Sequence, residues 1–445
     1  MSDNPATPRS VTQRKPTGTV TRIGWRTHLG LWGFAAVVRL LYIAVIHPPF
    51  TIYYWDAASG LRHAGSLSID GVQTAALEPL YPAFLAAARW VVADRPMPVQ
   101  IIQALVASLG ASYLCRLACA LTGQRLVGIT TALLFAVYPL LVRHAVDGTE
   151  SALVTVLLIA FAGQFVTMAR PRDASVTGLW LGLAVLTRTV ALPLILLAPV
   201  AAMKKVGSRA ALLIAGTALL VLAPFGLRNY LLNGAIVPAR SGFALFVGNS
   251  AYSAGIIGGY GPEILARHAE TRLSAEGFGD LPDTPDAEQT ENVVLRRLAL
   301  RWIADDPLAA IRLKIANLFR FFSPVLVPRF GISGTTSIRL EADGGSTVEN
   351  GRPRSLAEHA GYTVPYVVTL VVAAAGVYIR RRELRGDAIL WWMLLTFACV
   401  HAVFFPSTRY RAPVEFVFLF YAGVAAGTWI EHVAGRASGT VRTKR

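Results

Sequence analysis

The sequence predicts an all-α polytopic membrane protein of about ten transmembrane helices, with a juxtamembrane helix in its first outer loop and a small extracytoplasmic α-rich domain. Three observations carry this. Hydrophobic residues make up 54% of the chain and charged residues only 15%, a balance that a soluble domain does not keep in solution. Apolar runs of spanning length recur from residue 28 to residue 430. The basic residues, which leave a formal charge of +16, lie in short clusters between those runs rather than on one polar domain. That distribution marks them as topology determinants and excludes nucleic acid as a partner. Cys115, Cys119 and Cys399 all fall inside apolar runs, so neither a disulfide framework nor a zinc site is indicated.

Residues 1–27 are polar, with Pro5, Pro8 and Pro16 among Arg9, Arg14, Lys15, Arg22 and Arg26, and read as a disordered cytoplasmic tail. The first span is 28–46. Its long polar leader, and the lack of a small-x-small site after it, mark a retained anchor rather than a cleaved signal peptide. Within the first outer loop, 47–97, the stretch 80–92 is apolar but short for a crossing. If it crossed, the basic turn from Arg116 to Arg125 would lie outside and the acidic turn from Asp147 to Glu150 inside, against the positive-inside rule. Laid along the outer face, it leaves spans at 98–121, 125–142, 151–169, 174–187, 189–203 and 209–226, then 361–379, 387–405 and 410–429. Arg170 and Arg172, Lys204-Lys205 and Arg380-Arg381-Arg382 then fall inside. The expected organisation is a tail (1–27), an N-terminal transmembrane catalytic module (28–226), an extracytoplasmic segment (227–358), C-terminal transmembrane helices (359–430) and a basic tail (431–445). Both termini are expected in the cytoplasm, with the chain in the inner membrane. The extracytoplasmic segment carries turn chemistry at Gly258-Gly259 and Gly261-Pro262, a helical pattern over 287–304, an amphipathic stretch over 311–322 and a glycine-rich loop over 331–351.

The first candidate for chemistry is Asp56, in Tyr53-Tyr54-Trp55-Asp56 at the outer end of the first span. Flanking aromatics are expected to desolvate it, which makes a carboxylate a better proton acceptor near neutral pH. Glu78, Asp147 and Glu150 lie at the ends of apolar elements and converge on the same rim in this topology. Arg143, Arg188, Arg228, Arg240, Arg409 and Arg411 fall at outer ends of spans, where basic residues should be scarce. An anionic partner accounts for them: a guanidinium fork takes a phosphate bidentately, so a lipid-linked phosphate at the outer leaflet is the natural ligand. His63, His144 and His401 also lie near the outer face, but without His-x-x-x-His or Glu-x-x-His spacing. A divalent metal therefore has only Glu78 as a core, and no cofactor is assigned.

The chain resembles the integral-membrane glycosyltransferases of the GT-C type, in particular the protein O-mannosyltransferase and lipid A aminoarabinose transferase group. The resemblance rests on Asp56 in the first outer loop, Glu78-Pro79-Leu80-Tyr81-Pro82 ending that loop, and the acidic residues Asp147 and Glu150 after the third span. It continues with Gly182 to Arg188 in the short hairpin, Arg228-Asn229-Tyr230 at the exit of the seventh span, and Arg409-Tyr410-Arg411-Ala412-Pro413 before the last. It implies a GT-C-like bundle, a polyprenyl-phosphate-linked sugar as donor, an outer-loop aspartate as base, and basic residues on the donor phosphate. In the aminoarabinose transferases a lysine lies where this chain reads Leu77-Glu78-Pro79, so here the phosphate falls to arginines.

The expected function is transfer of a sugar from polyprenyl phosphate to a lipid, glycan or protein acceptor of the cell envelope, with inversion. Asp56, Asp147 and Glu150 are the expected catalytic residues. Glu78, Tyr81, Arg143, Arg188, Arg228, Asn249, Arg409 and Arg411 are the expected substrate contacts. Ser241 to Asn249 would roof a cavity open sideways to membrane lipids, with Tyr53, Tyr54 and Trp55 as its far wall. The alternatives are a phosphate-binding lipid or solute transporter, which the lack of an internal repeat disfavours, and a non-catalytic envelope-assembly protein.

Overall fold

The computed structural model describes residues 23–437 apart from 52, 252, 254–261, 280, 325–336, 341–345 and 350–355. Its N-terminal part holds helices α1 (Trp25–Ile46), α2 (Trp55–Ala64), α3 (Leu80–Val91), α4 (Pro96–Thr122), α5 (Arg125–Val137), α6 (Pro139–His144), α7 (Ser151–Thr167), α8 (Asp173–Thr187), α9 (Leu194–Lys205) and α10 (Ser208–Asn233). The long intervening segment supplies α11 (Ser241–Gly248), α12 (Pro262–Ala275), α13 (Pro285–Asp305) and α14 (Pro307–Phe321). The chain then closes with α15 (Leu356–Ile379), α16 (Ala388–Val403) and α17 (Phe416–Ala437). Among the described residues the only sheet is a pair of two-stranded antiparallel hairpins. One joins Ser68–Ile69 to Val72–Gln73, and the other joins Ser337–Leu340 to Ser346–Glu349 inside the expected glycine-rich loop.

Among the described residues, five helices are long and apolar enough to cross a membrane: α1, α4, α10, α15 and α17. The shorter apolar helices α5, α7, α8 and α16 stand in the same bundle. α4 packs on α1, α5 and α7, α8 joins α7 to α10, and the closing helices return to the start of the bundle through α17 on α5. Leu29, Phe34, Val37, Leu41 and Val45 of α1, and Leu212, Leu219, Leu220, Leu227 and Leu231 of α10, are exposed. Apolar surface on that scale belongs in hydrocarbon, so the chain is a multi-pass membrane protein.

The basic turns meet at one end of the bundle. Arg125 donates to Thr27 Oγ1 at 3.1 Å, Lys205 Nζ to the carbonyls of Phe165 and Val166 at 2.6 Å each, and Arg380 to the Leu121 carbonyl at 3.3 Å. At the other end the Thr51 amide donates to the Asp147 carbonyl at 2.9 Å and Gln100 to the Val146 carbonyl at 2.7 Å. There α2 and α3 pack together, and α3 lies where a short apolar helix along the outer face was expected.

Two expected spans are divided. The stretch 125–142 breaks between α5 and α6 because Pro139 has no amide to continue the ladder. Arg39, buried in α1 without a carboxylate partner among the described residues, donates to the Ala136 carbonyl at that break (3.3 Å) and to the Ala35 carbonyl (3.0 Å). The last span begins at Phe416 rather than 410, after a turn over Thr408–Arg411 and a 3-10 turn at Pro413. α10 runs on to Asn233, seven residues past the expected end at 226.

The outer helices start on their own caps. Thr284 Oγ1 accepts from the Ala287 amide before α13, and the Asp306 carboxylate accepts from the Ala309 amide before α14, each followed by proline at the first helical position. Ala310, Leu313, Asn317 and Phe321 of α14 are buried, and α14 packs on α16. Leu308, Ile311, Ile315 and Phe319 are exposed on its far side, which gives the amphipathic stretch a second apolar face for the membrane surface.

α15 and α17 approach most closely at Gly376, where a Cβ would meet the Tyr421 backbone carbonyl. Gly376→Leu is expected to destabilise the protein by about 1–3 kcal/mol through overpacking. The measurement is thermal unfolding of the purified protein followed by fluorescence-detected size exclusion, and an unchanged midpoint would disprove the tight crossing.

Candidate functional site

At the end of the bundle away from the basic turns, the start of α2 meets the start of α7. Ala57 and Ala58 bury the inner face of α2, and Tyr54 just before it is buried as well. The Tyr54 ring lies edge-on to Tyr81 of α3 at 5.0 Å and to Tyr53 at 4.9 Å. The Tyr54 hydroxyl accepts from Arg409 at 3.2 Å, and the same guanidinium nitrogen is ion-paired to Glu150. The other oxygen of Glu150 takes Arg188 Nη1 at 2.5 Å. One buried carboxylate thus lies between two guanidiniums that come from opposite halves of the chain, and the trio keeps a net positive charge.

Burial alone would raise the Glu150 carboxyl, but the Arg409 and Arg188 guanidiniums outweigh it and hold the pKa at about 2. Arg188 also lies 4.2 Å from the centre of the Tyr410 ring, and Tyr410 stacks on His401 at 4.5 Å. Glu78 reaches the same turn, accepting from the Thr189 amide at 3.2 Å and the Thr189 hydroxyl at 2.9 Å. Tyr81 donates to Gln103 Oε1 at 2.6 Å. Asp147 accepts from the Thr149 amide and hydroxyl at 3.0 and 2.7 Å, and its other oxygen is 2.5 Å from His144 Nδ1. The turn is closed by Gly148 at a φ of 75°, where a side chain would run into the Thr51 backbone. The structure therefore brings Glu78, Tyr81, Asp147, Glu150, Arg188 and Arg409 together around Tyr54.

Asp56 stands apart from this network. It is exposed on the first turn of α2, and among the described residues it has no hydrogen bond or ion pair. The aromatic shield expected around it encloses Tyr54 instead, because helical periodicity turns 54, 57 and 58 inward and leaves 53 and 56 outward. Beside Tyr53 is Arg240, whose guanidinium lies 5.1 Å from the Tyr53 ring centre and 5.5 Å from that of Phe243. Arg240 is exposed and forms no ion pair among the described residues. Asp56 and Arg240 are the open charges here.

Four expected substrate contacts are spent on the scaffold. Arg228 donates to the backbone carbonyls of Thr74 (3.0 Å) and Leu67 (3.1 Å) in the first outer loop. Arg411 is buried, ion-paired to Glu415, and bonded to the carbonyls of Phe321 (3.2 Å) and Ser323 (2.9 Å). Asn249 is buried and donates to Leu245 (2.7 Å) and Val403 (3.0 Å). Arg143 is buried beside Tyr362. Among the described residues no three His, Cys, Asp or Glu side chains are grouped to hold a metal ion, and Glu78 is taken by Thr189.

Sequence reasoning passed over Gln103 and Thr189, took Tyr54 only as a wall of the cavity and Tyr410 only as part of a motif, and weighed Arg240 without choosing it. The motif Arg409-Tyr410-Arg411 held the missing signal: one arginine points to the site, the other finds Glu415 four residues on along the same helical face.

No family model matches the chain, and no curated protein matches its sequence. Solved structures do. The oligosaccharyltransferase of Archaeoglobus fulgidus, tethered to an acceptor peptide containing the NVT sequon, aligns over 94% of this chain and 52% of its own at a TM-score of 0.51 and 12% identity. The same enzyme in complex with zinc and sulfate aligns over 92% of this chain and 50% of its own, at 0.51 and 13%. ArnT from Cupriavidus metallidurans bound to undecaprenyl phosphate aligns over 93% and 78%, at 0.37 and 13%. The chain spans about half the length of the oligosaccharyltransferase. It has a GT-C-like fold, as the resemblance implied.

Glu150→Gln leaves the buried Arg188 and the half-buried Arg409 without their shared carboxylate and is expected to cost about 3–5 kcal/mol of stability. A folded-state pKa depressed from 4.5 to about 2 gives stability that is fully present above about 4.5 and is lost as pH falls toward 2. Thermal unfolding of wild type across pH 2 to 6 should show that loss, and the variant should lack this component. Parallel profiles for the two proteins would sink the assignment.

Proposed function

We propose that this chain is a membrane glycosyltransferase that moves a sugar from a polyprenyl-phosphate donor to a hydroxyl of a cell-envelope acceptor at the outer face of the cytoplasmic membrane. Two open charges at one end of a GT-C-like bundle support the reading: Asp56, exposed and without a partner among the described residues, and Arg240, exposed beside Tyr53. A carboxylate with no bond to break is ready to take a proton, and an accessible guanidinium suits a phosphate.

In this mechanism the acceptor oxygen attacks the anomeric carbon while its proton passes to Asp56. The bond from that carbon to the phosphate oxygen breaks, and polyprenyl phosphate leaves with the electron pair, which inverts the sugar. Arg240 and Arg409 stabilise the charge that grows on the leaving phosphate. Glu150 and Asp147 serve as positioning residues, the first holding Arg188 and Arg409, the second fixing the turn before α7. The polyprenyl tail stays in hydrocarbon, since each methylene exposed to water costs about 0.8 kcal/mol.

The basic turns would face the cytoplasm, together with both termini, and 28–226 would be the catalytic module under an extracytoplasmic 227–358. Cysteines placed at the exposed positions Asp70 and Asp94 are then expected to react with an impermeant thiol reagent added outside cells, while one at Lys204 is protected. Labelling of Lys204 alone would invert the topology and with it the site.

Asp56→Asn is expected to leave the unfolding midpoint unchanged and to lower turnover by about two to four orders of magnitude, the usual worth of a general base. The assay is sugar transfer in liposomes that carry a polyprenyl-phosphate sugar and an envelope extract as acceptor. Near-normal transfer by the variant would remove Asp56 from the mechanism.

A further inference from the structure

At the basic end of the bundle, α1 and α4 part over a groove of about 520 Å3. Its floor is fixed by two bonds between the helices, Ser112 Oγ to the His28 carbonyl at 2.7 Å and Trp32 Nε1 to the Leu105 carbonyl at 3.0 Å. Leu29 and Leu109 at its mouth are exposed, so the groove opens sideways onto the same lipid-facing surface as the outer stripe of α1. Tyr113, steadied by an edge contact with Trp180 at 6.5 Å, and Trp32 form aromatic walls. At the polar rim His28 faces Arg116, which is exposed and has no ion pair or hydrogen bond among the described residues. The site around Glu150 is remote: Gln103 and Arg116 are both on α4, about 20 Å apart at 1.5 Å per residue.

A cation at the rim, aromatics at headgroup depth and an apolar floor that faces hydrocarbon are together the requirements of one ligand class. We propose that this groove binds a single anionic phospholipid from the leaflet at the basic end of the bundle, with its phosphate on Arg116 beside His28 and an acyl chain over Leu29, Trp32 and Leu109. A free anion would leave the apolar floor unused, and a neutral zwitterion would bring a second cation against Arg116. The volume suits a glycerophosphate headgroup and the first methylenes of its chains. The inference stands apart from the proposed reaction.

The test is native mass spectrometry of the full-length protein released from nanodiscs of mixed phosphatidylglycerol and phosphatidylcholine. One phosphatidylglycerol is expected to remain bound in preference to phosphatidylcholine by about tenfold, the worth of one charge-assisted contact. Arg116→Gln is expected to erase that preference, and Leu109→Trp, which blocks the apolar mouth, to lower total occupancy about tenfold, both with unchanged unfolding midpoints. Equal retention of the two lipids by wild type overturns the proposal, as does full retention by Arg116→Gln. Displacement by millimolar inorganic phosphate would make it a free-anion site, and a dimer in place of the lipid adduct would make it a contact between copies; either result also overturns it.

Discussion

The end of the bundle away from the basic turns depends on one carboxylate. Glu150 caps the start of α7, Arg188 caps the end of α8, and Arg409 precedes the last helix, so one ion pair joins neighbouring helices 38 residues apart and the other reaches 259 residues along the chain. In a buried setting such pairs are costly to form and more costly to break, since removal of the acid strands two charges in low dielectric. The compensation comes from the surrounding polar groups: Tyr54 on Arg409, Tyr410 on Arg188, and Thr189 reaching Glu78 from the residue after Arg188. Burial, positive charge and aromatic rings there are one arrangement, and the open residues Asp56 and Arg240 are placed by it through Tyr54 and Tyr53.

Much of the architecture was legible because hydropathy and charge act over long segments. The basic turns and the acidic turn told which loops share an end, and parity marked 80–92 as a helix that does not cross; α3 forms there, at the end of the bundle away from the basic turns. Proline breaks at 139 and 413 were visible as residues but not as boundaries, because a transmembrane proline either kinks a helix or ends it according to what satisfies the freed carbonyls. At Ala136 that group is Arg39, a contact 97 residues distant.

The site was legible as an inventory of charges and not as a partition of their roles. Arg228, Arg240, Arg409 and Arg411 look alike in sequence, each at an outer helix end. Whether a guanidinium grips a backbone carbonyl, pairs with a glutamate or stays open depends on packing between helices that are not neighbours in the chain. The same holds for Asp56: its aromatic neighbours are real, but the helix they begin turns the acid outward.

The loop at 67–76 is held from two directions. Arg228 of α10 takes the carbonyls of Leu67 and Thr74, Glu288 of α13 takes the Ala75 amide at 2.8 Å and the Thr74 hydroxyl at 2.6 Å, and the Ala239 amide takes the Ala75 carbonyl at 2.9 Å. Apart from Thr74, these clasps grip main chain, which every residue possesses. The buried side chains of Leu67, Ser68, Thr74 and Ala75 stay under packing constraint, while the exposed Asp70 and Gln73 can change without unfastening a loop that is clasped by its main chain.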